Sequence, residues 1–346
     1  MQTKKKRTLR KSALITGAAG FIGYFVCKRL LKEGFQVFGV DDLNDYYDVN
    51  LKKSRQQDLL CSSNFKIYND KIQAPNFLLQ LFEIHRPQVI IHLAAQAGVR
   101  HSITNPRLYL ESNIFGTFEL LEAARAFPPK HMLLASTSST YGANSDMPFT
   151  EISKTDNQMS FYAATKKSTE NMAHSYAHLF HLPTTMFRFF TVYGPWGRPD
   201  MALFKFTKAI FQKRAIDVYN YGKMERDFTY IEDLVEAIFC LISCIPKKPN
   251  ERTKVIKNDS LSPVAPFRIL NIGNSKPEKI MDFIQAIEKA TGFKAEKNML
   301  TMQPGDVVKT WADTSLLQHL TDYKPGTDIQ TGVNNFVDWY RKFYKV

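Results

Sequence analysis

Short apolar segments alternate with longer amphipathic segments through the first half of the chain. The apolar segments are brief and almost uninterrupted, which is typical of strands buried on both faces of a sheet. They cover residues 13–16, 36–40, 65–68, 88–93, 131–136 and 184–190. Between them, apolar residues recur at helical spacing, as at Phe21, Phe25 and Leu30 and again over residues 113–126. The alternation predicts right-handed βαβ units and an α/β fold with a Rossmann-type, doubly wound parallel sheet.

The pattern becomes irregular after about residue 190. We predict a turn-rich stretch, four helices, two strands and a long surface loop in this half. The turn-rich stretch covers residues 193–199 and the surface loop residues 246–266. The helices are expected at 202–214, 232–245, 278–291 and 333–343, and the strands at 216–220 and 268–272. The chain is therefore divided into a basic tail at 1–11, a Rossmann domain at 12–190 and a smaller α+β substrate-binding domain at 191–346. The strand near 268–272 is a candidate to return to the main sheet.

Composition adds a strong positive charge to this picture. The 346 residues are 44% hydrophobic and 23% charged, as in ordinary globular proteins. The 46 Lys and Arg residues exceed the 33 Asp and Glu residues by 13, which favours an anionic partner: nucleic acid, a membrane surface or a phosphorylated small molecule. Six of the basic residues lie within the first eleven, without a nucleic-acid recognition motif. We expect a solvated tail and no nucleic-acid partner.

Membrane and metal partners are not expected either. No apolar stretch reaches the roughly 18 residues of a membrane-spanning helix, and glycines interrupt the run that follows the tail. Four cysteines are too few for a disulfide framework and fit a reducing cytoplasm. The one-turn spacings of Cys240 with Cys244 and of His174 with His178 are better explained by packing than by a metal site.

A glycine pattern directly follows the first predicted strand. Gly17, Gly20 and Gly23 form G-x-x-G-x-x-G at the start of a helix, where glycines permit a tight turn and a close approach of the backbone to a diphosphate. Asp41 ends the second strand, about twenty residues on, where an acid can bind ribose hydroxyls. A second acid at Asp42 favours NAD over NADP, because it would repel the additional phosphate.

Tyr162 and Lys166 are four residues apart at the head of a predicted helix, so both side chains lie on one face. A nearby ammonium favours the phenolate, lowers the pKa of the phenol and makes tyrosine a usable general base. A run of hydroxyl residues, Ser136 to Ser139, ends the fifth strand, where a doubly wound fold binds its ligand.

Together these residues resemble the extended short-chain dehydrogenase/reductase family from Ala13 to the C-terminus. The resemblance includes the glycine run, the Tyr-x-x-x-Lys pair, Leu93-Ala-Ala-Gln96 and Arg226-Asp-Phe. It implies that Thr137 completes a catalytic set with Tyr162 and Lys166. It also implies that the cofactor contacts Phe21, Ile22, Asp70, Lys71, Ala94, Gln96 and Asn113 in addition to the residues above.

The residues that follow Thr137 help to distinguish which reaction a member of this family catalyses. Sugar 4,6-dehydratases carry Asp-Glu there, because eliminating water requires an added acid and base, whereas this chain has Ser138 and Ser139. Nucleotide-sugar decarboxylases tend to carry a Glu in the same stretch, and this chain lacks it. Residues 42–52, 188–202 and 303–306 resemble bacterial UDP-glucuronate 4-epimerases. That resemblance implies a cytoplasmic homodimeric isomerase that interconverts UDP-glucuronate and UDP-galacturonate for surface polysaccharide synthesis.

The same resemblance suggests how a UDP-hexuronic acid is held. Ser138, Ser139 and Thr191 offer hydroxyl donors to the C6 carboxylate, and Arg198 offers a nearby cation. Arg226 is the candidate for the diphosphate. Asp306 suits the uridine ribose, although Gln303 stands where UDP-glucose 4-epimerases have an arginine. A UDP-N-acetylhexosamine or UDP-glucose 4-epimerase remains the alternative enzyme, and an NAD-binding protein without catalytic activity the alternative class.

Overall fold

The computed structural model describes residues 11–252, 256, 258–303 and 306–346. Apart from Lys11, the basic tail lies outside the described residues. Among those residues, no helix is both long and apolar enough to cross a membrane, and no group of three His, Cys, Asp or Glu side chains could hold a metal ion.

Strands and helices alternate through residue 126. The strands β1, β2 and β4 are short apolar runs that are largely buried, whereas β3 at the edge of the sheet is more exposed. The elements are β1 (Ser12–Thr16), α1 (Phe21–Lys32), β2 (Gln36–Val40), α2 (Val49–Leu60), β3 (Phe65–Tyr68), α3 (Phe77–His85), β4 (Val89–His92), α4 (Val99–Thr104), α5 (Pro106–Tyr109), a π-helix (Leu110–Phe115) and α6 (Gly116–Ala126).

The remaining elements complete the sheet and build the second layer of structure. In chain order they are β5 (His131–Thr137), a 3₁₀ turn (Ser138–Tyr141), α7 (Phe161–Phe180), β6 (Thr184–Phe189), β7 (Thr191–Tyr193), α8 (Ala202–Phe211), β8 (Ile216–Val218), a 3₁₀ turn (Tyr219–Gly222), β9 (Glu225–Tyr230), α9 (Ile231–Leu241), a 3₁₀ turn (Pro249–Glu251), β10 (Phe267–Ile272), β11 (Pro277–Lys279), α10 (Ile280–Thr291), β12 (Lys297–Met299), α11 (Ser315–Thr321) and α12 (Ile329–Tyr344).

Seven parallel strands form the central sheet in the order β10-β6-β5-β4-β1-β2-β3. This confirms the predicted α/β fold with a doubly wound sheet, and β10 is the seventh strand, beside β6. Smaller sheets, β11-β9-β7 and β12-β8, belong to the second half. The strand order reverses between β1 and β4, so a crevice opens at the carboxyl ends of these two strands.

The sheet separates two hydrophobic cores. Side chains alternate along β1, so Ala13 and Ile15 join the core under α1, α9 and α12, whereas Leu14 joins the core under α3, α6 and α7. The first core continues into the aromatic residues of α12, including Phe336 and Tyr340. Burial on both faces explains why the strands are apolar at consecutive positions.

A buried carboxyl group predicts a pH-dependent stability. The Glu151 Oε1 atom accepts a hydrogen bond from the backbone N–H of Asn271 at 2.9 Å, and burial raises the pKa of Glu151 to about 7. Between the ordinary pKa and this value the folded protein binds a proton that the unfolded chain releases, so the free energy of unfolding falls as pH rises.

Glu151→Gln removes this loss. The difference in free energy of unfolding between the variant and the wild type is therefore expected to be about 2 kcal/mol more favourable to the variant at pH 8 than at pH 5. Urea denaturation of both proteins at the two pH values measures this difference. Glu83→Gln, at an exposed position of α3, is the matched control and should change neither value. A Glu151→Gln effect that is equal at pH 5 and pH 8 would contradict the prediction.

Candidate active site

The loop between β1 and α1 forms a cradle that only glycine permits. Gly17 has a positive φ of 74°, and a Cβ atom there would lie 2.8 Å from the Ala94 nitrogen. A Cβ atom on Gly23 would lie 1.9 Å from the Gly17 oxygen. The backbone of the turn, β4 and α1 thus approach closely, and the first amides of α1 are left for an anion. The arrangement fits the diphosphate of a dinucleotide.

Asp41 fixes the far side of this cradle. Its Oδ2 accepts from the Ala19 N–H and its Oδ1 from the Leu43 N–H, both at 2.9 Å. Burial raises the pKa of the Asp41 carboxyl. Lys52 lines the same space and donates to the Asn44 carbonyl at 2.6 Å, which sequence reasoning did not assign.

An open cleft connects the cradle with the carboxyl end of β5. Thirteen of the residues predicted as site residues line it. They are Gly17, Gly20, Phe21, Ile22, Gly23, Asp41, Asp70, Ala94, Gln96, Thr137, Tyr162, Lys166 and Arg198. Positions spread over 182 residues of sequence therefore converge on one cavity, at the edge of the sheet where ligands bind in this fold.

Thr137 and Tyr162 reach the cleft from different elements. Thr137 ends β5, and its Oγ1 accepts from the Ser139 N–H at 3.2 Å. Tyr162 lies in the first turn of α7, which begins where Ser160 Oγ accepts from the Ala163 N–H at 3.1 Å. Burial raises the pKa of the Tyr162 phenol, while the Thr137 hydroxyl and the charge of Arg198 act in the opposite direction.

Lys166 follows one turn later on α7. Burial lowers the pKa of its ammonium group to about 8, and the carboxylate of Glu170 opposes this shift. The sequence argument expects Lys166 to lower the pKa of Tyr162. In the structure the burial of both groups dominates, so the pKa of the phenol is above its ordinary value.

Asn113 supports the site from the π-helix. Its Nδ2 donates to the Gln96 carbonyl at 3.1 Å and to Thr165 Oγ1 at 3.0 Å, and its Oδ1 accepts from the Gln96 N–H at 2.8 Å. It therefore ties the segment after β4 to the helix of Tyr162 and Lys166. Asn113 itself does not line the cleft.

The other predicted residues lie outside the cleft. Lys71 is exposed beside Asp70. Ser139 contacts Thr137, and Thr191 lines a smaller pocket that Arg198 also lines. The remaining members of this set are Ser138, Arg226 and Asp306.

Arg226 and Asp306 occupy the smaller half of the molecule. The Arg226 Nη1 donates to the carbonyls of Glu225 and Val308, and burial lowers the pKa of this guanidinium. Asp306 forms an ion pair with Arg100 of α4 at 2.7 Å. Arg100, which sequence reasoning missed, thereby joins α4 to the segment at residue 306.

Arg55 links the two sides of the site and was also missed. It is fully buried, and its Nη1 donates to the Ala19 carbonyl at 2.9 Å while its Nη2 donates to the Trp196 carbonyl at 2.6 Å. Within the described ranges it has no carboxylate partner. The glycine loop and the segment that carries Arg198 are thus held by one side chain. Its signal in the sequence is only that it follows the segment at 42–52.

The sheet, the glycine cradle and the Thr-Tyr-Lys set define a dinucleotide-dependent short-chain dehydrogenase/reductase. The profile of the family described as GDP-mannose 4,6 dehydratase matches residues 14–336. The chain belongs to this family of extended short-chain dehydrogenases/reductases.

Individual relatives are more specific. The chain is 52% identical to a probable UDP-glucuronate 4-epimerase of Rhizobium meliloti, with 96% of this chain and 97% of the relative covered. It is also 52% identical to the protein CapI of Staphylococcus aureus, with coverage of 96% and 99%. The structure of UDP-glucuronic acid 4-epimerase from Bacillus cereus, in complex with UDP-glucuronic acid and NAD, superposes with a TM-score of 0.85 at 33% identity and covers 96% of this chain and 100% of that chain.

Proposed function

We propose that this protein is an NAD-dependent isomerase that interconverts UDP-glucuronate and UDP-galacturonate at C4. The observation that carries the proposal is the single cleft lined by the glycine cradle, by Thr137, Tyr162 and Lys166, and by the cation Arg198. The relatives named as UDP-glucuronate 4-epimerases, and the superposed structure with UDP-glucuronic acid and NAD, support both the substrate and the cofactor.

Several residues of this chain fit NAD. The amides of the glycine loop would bind its diphosphate, Asp41 its adenine ribose and Lys166 its nicotinamide ribose. Of the other candidates for cofactor contacts, Phe21, Ile22, Asp70, Ala94 and Gln96 line the cleft, whereas Lys71 and Asn113 lie outside it. Bound NAD supplies a hydride acceptor and donor, so the reaction has no net redox change.

Tyr162 is assigned the proton transfer. As a phenolate it takes the proton of the sugar 4-hydroxyl, and it returns that proton when the opposite configuration is formed. Thr137 binds the same hydroxyl. Lys166 stabilises the phenolate when the lysine is in its charged ammonium form. Because positions 138 and 139 are serines, no carboxylate stands there to eliminate water from the sugar.

The sugar nucleotide is assigned to residues around the cleft and in the smaller half. Arg198, with the hydroxyls of Ser138, Ser139 and Thr191, is proposed to bind the C6 carboxylate. Arg226 is proposed to bind the diphosphate of the nucleotide. Asp306 is proposed to accept hydrogen bonds from the uridine ribose.

Proton NMR of purified protein incubated with UDP-glucuronate tests the function. UDP-galacturonate should accumulate to a constant ratio, and the same mixture should form when UDP-galacturonate is supplied. UDP-N-acetylglucosamine and UDP-glucose are the matched substrates. Conversion of either of these without conversion of UDP-glucuronate would replace the proposal with the corresponding neutral-sugar 4-epimerase.

We also propose that the protein is a cytoplasmic homodimer. The four unpaired cysteines support a reducing compartment. Large apolar side chains remain exposed on neighbouring helices, including Phe115 (57% exposed), Phe118 (42%) and Leu108 (43%). Leu179 on α7 is also exposed (61%). Exposed apolar side chains of this kind are suited to an isologous contact with a second copy of the chain, built from the helices near 113–125 and 162–181.

Light scattering is expected to give twice the mass of the chain, and Phe118→Glu is expected to reduce it to the mass of one chain, because a charge would be buried in the contact. Phe293→Glu replaces a similarly exposed phenylalanine (51%) after α10 and should leave the mass unchanged. A Phe118→Glu protein that keeps the doubled mass would contradict this placement of the interface.

A further inference from the structure

Arg198, to which the proposed function assigns the sugar carboxylate, already has a carboxylate partner. Its Nε donates to Asp200 Oδ1 at 3.0 Å, and its Nη2 donates to Asp200 Oδ2 at 2.6 Å. Within the described part of the chain its Nη1 makes no hydrogen bond. Two of the three nitrogens of the guanidinium are therefore engaged before any ligand arrives.

Tyr46 holds Asp200 from a second direction. Its hydroxyl donates to Asp200 Oδ2 at 3.2 Å, and its ring lies against His101 with the ring centroids 4.7 Å apart. Tyr46 precedes α2 and lines the same cleft as Arg198. Only about a quarter of the Arg198 and Asp200 side chains is exposed, at 23% and 25%. Arg198 and Tyr46 thus line the cleft wall, and Asp200 lies behind them as the partner of both.

The backbone that carries this pair is also anchored. Arg55 donates to the carbonyls of Trp196 and Gly197, directly before Arg198. The Trp196 ring packs between Tyr24 and Trp339, with centroids 5.5 Å and 5.3 Å away. The backbone directly before Arg198 is therefore held by contacts on two sides, which places the Arg198 side chain at the cleft.

This arrangement weakens the attraction of Arg198 for an incoming anion. An unpaired guanidinium binds a carboxylate through two parallel, charge-assisted hydrogen bonds, which are strong and directional. With Asp200 on the Nε/Nη2 edge of the guanidinium, an incoming carboxylate can approach only the Nη1/Nη2 edge, and it meets one positive and one negative charge there. Asp200 and the ligand carboxylate also repel each other.

We propose that Asp200 is a positioning and specificity residue that weakens the contact between Arg198 and the sugar carboxylate. The inference rests on the proposed function, because the epimerised sugar must present both faces of C4 to the same reacting groups. A stronger ion pair between Arg198 and the C6 carboxylate would hold the ring in one orientation. Tight ground-state binding of this kind would lower KM without raising kcat.

Asp200→Asn in the NAD-loaded protein tests the inference. Asparagine keeps an oxygen that can accept from Arg198 but removes the competing charge. The Kd of UDP-glucuronate, measured by calorimetry, should fall about tenfold, while the Kd of UDP-glucose, which lacks the carboxylate, should stay unchanged. The KM for UDP-glucuronate and kcat should both decrease, a split that a merely structural role would not produce.

Asp259→Asn is the matched control. Asp259 accepts from Nε and Nη2 of Arg268, each at 2.9 Å, in the same geometry, and neither residue lines the cleft. It should change neither Kd. Tyr46→Phe, which removes one hydrogen bond from Asp200 and keeps the ring, is the second variant and should shift the Kd of UDP-glucuronate in the same direction by a smaller factor.

An unchanged Kd of UDP-glucuronate in Asp200→Asn, a weaker one, or an equal change for both ligands would overturn the inference. Because binding is measured apart from turnover, the two proposals fail separately. Wild-type protein that binds but does not convert UDP-glucuronate contradicts the epimerase. Selective tightening in Asp200→Asn would still support the role of Asp200 in that case.

Discussion

Tyr162→Phe is expected to lower the kcat of UDP-glucuronate epimerisation about a thousandfold while NAD stays bound. The substitution removes only the hydroxyl that exchanges a proton with the sugar. The phenyl ring remains, so the packing at the head of α7 is retained. The glycine cradle and Asp41, which are proposed to bind the dinucleotide, are not altered.

Turnover is measured by NMR, and NAD content is measured after denaturing the purified protein. Tyr176→Phe is the matched control, because Tyr176 lies on the same helix and donates to Glu122 at 2.6 Å, away from the cleft. It should retain turnover near that of the wild type. Turnover of Tyr162→Phe within tenfold of the wild type would refute the role of Tyr162 as the acid and base.

Glu170→Gln is expected to lower the free energy of unfolding by about 3–5 kcal/mol. Glu170 and Arg188 are each 1% exposed, and Arg188 donates to both carboxylate oxygens at 2.9 and 2.8 Å. Burial would raise the pKa of Glu170, but the bonds and charge of Arg188 lower it below its ordinary value. The variant leaves the buried positive charge of Arg188 without a counter-charge.

Urea denaturation measures the loss. Arg125→Gln breaks the exposed pair with Glu122, 3.5 Å apart, and should cost less than about 1 kcal/mol. The double variant Glu170→Gln with Arg188→Met removes both charges and should recover part of the stability, since an uncharged pair leaves no unpaired ion. A Glu170→Gln loss as small as that of Arg125→Gln would show that Arg188 finds another counter-charge.

The six strands of the first half could be predicted from the sequence because a buried parallel strand is a continuous apolar run. Observed strand ends differ from the predicted ones by at most one residue. The return of β10 to the main sheet depends on contacts across about eighty residues, so the pattern could only suggest it. The π-helix at Leu110–Phe115 was missed, because its apolar spacing resembles that of the α-helix it precedes.

The residues of the site likewise divide into those that a local sequence pattern predicts and those that depend on contacts between distant parts of the chain. Gly17, Tyr162 and Lys166 stand out because their roles depend on local geometry, a turn or one helical step. Arg55 does not stand out in the sequence, since its partner is the backbone carbonyl of Trp196, 141 positions away. Asp200 does not stand out either, since its partner Arg198 was assigned to the sugar carboxylate. Spacing rules contain no information about such contacts.

Arg55 has a consequence for attempts to alter the enzyme. Its guanidinium uses one nitrogen for the Ala19 carbonyl and another for the Trp196 carbonyl. A redesigned 193–201 segment that moves the second carbonyl would leave a buried charge partly unsolvated and pull on the turn at Ala19. We therefore expect sugar preference and retention of the dinucleotide to change together, and a loop transplanted from a relative to need the same contacts with Arg55.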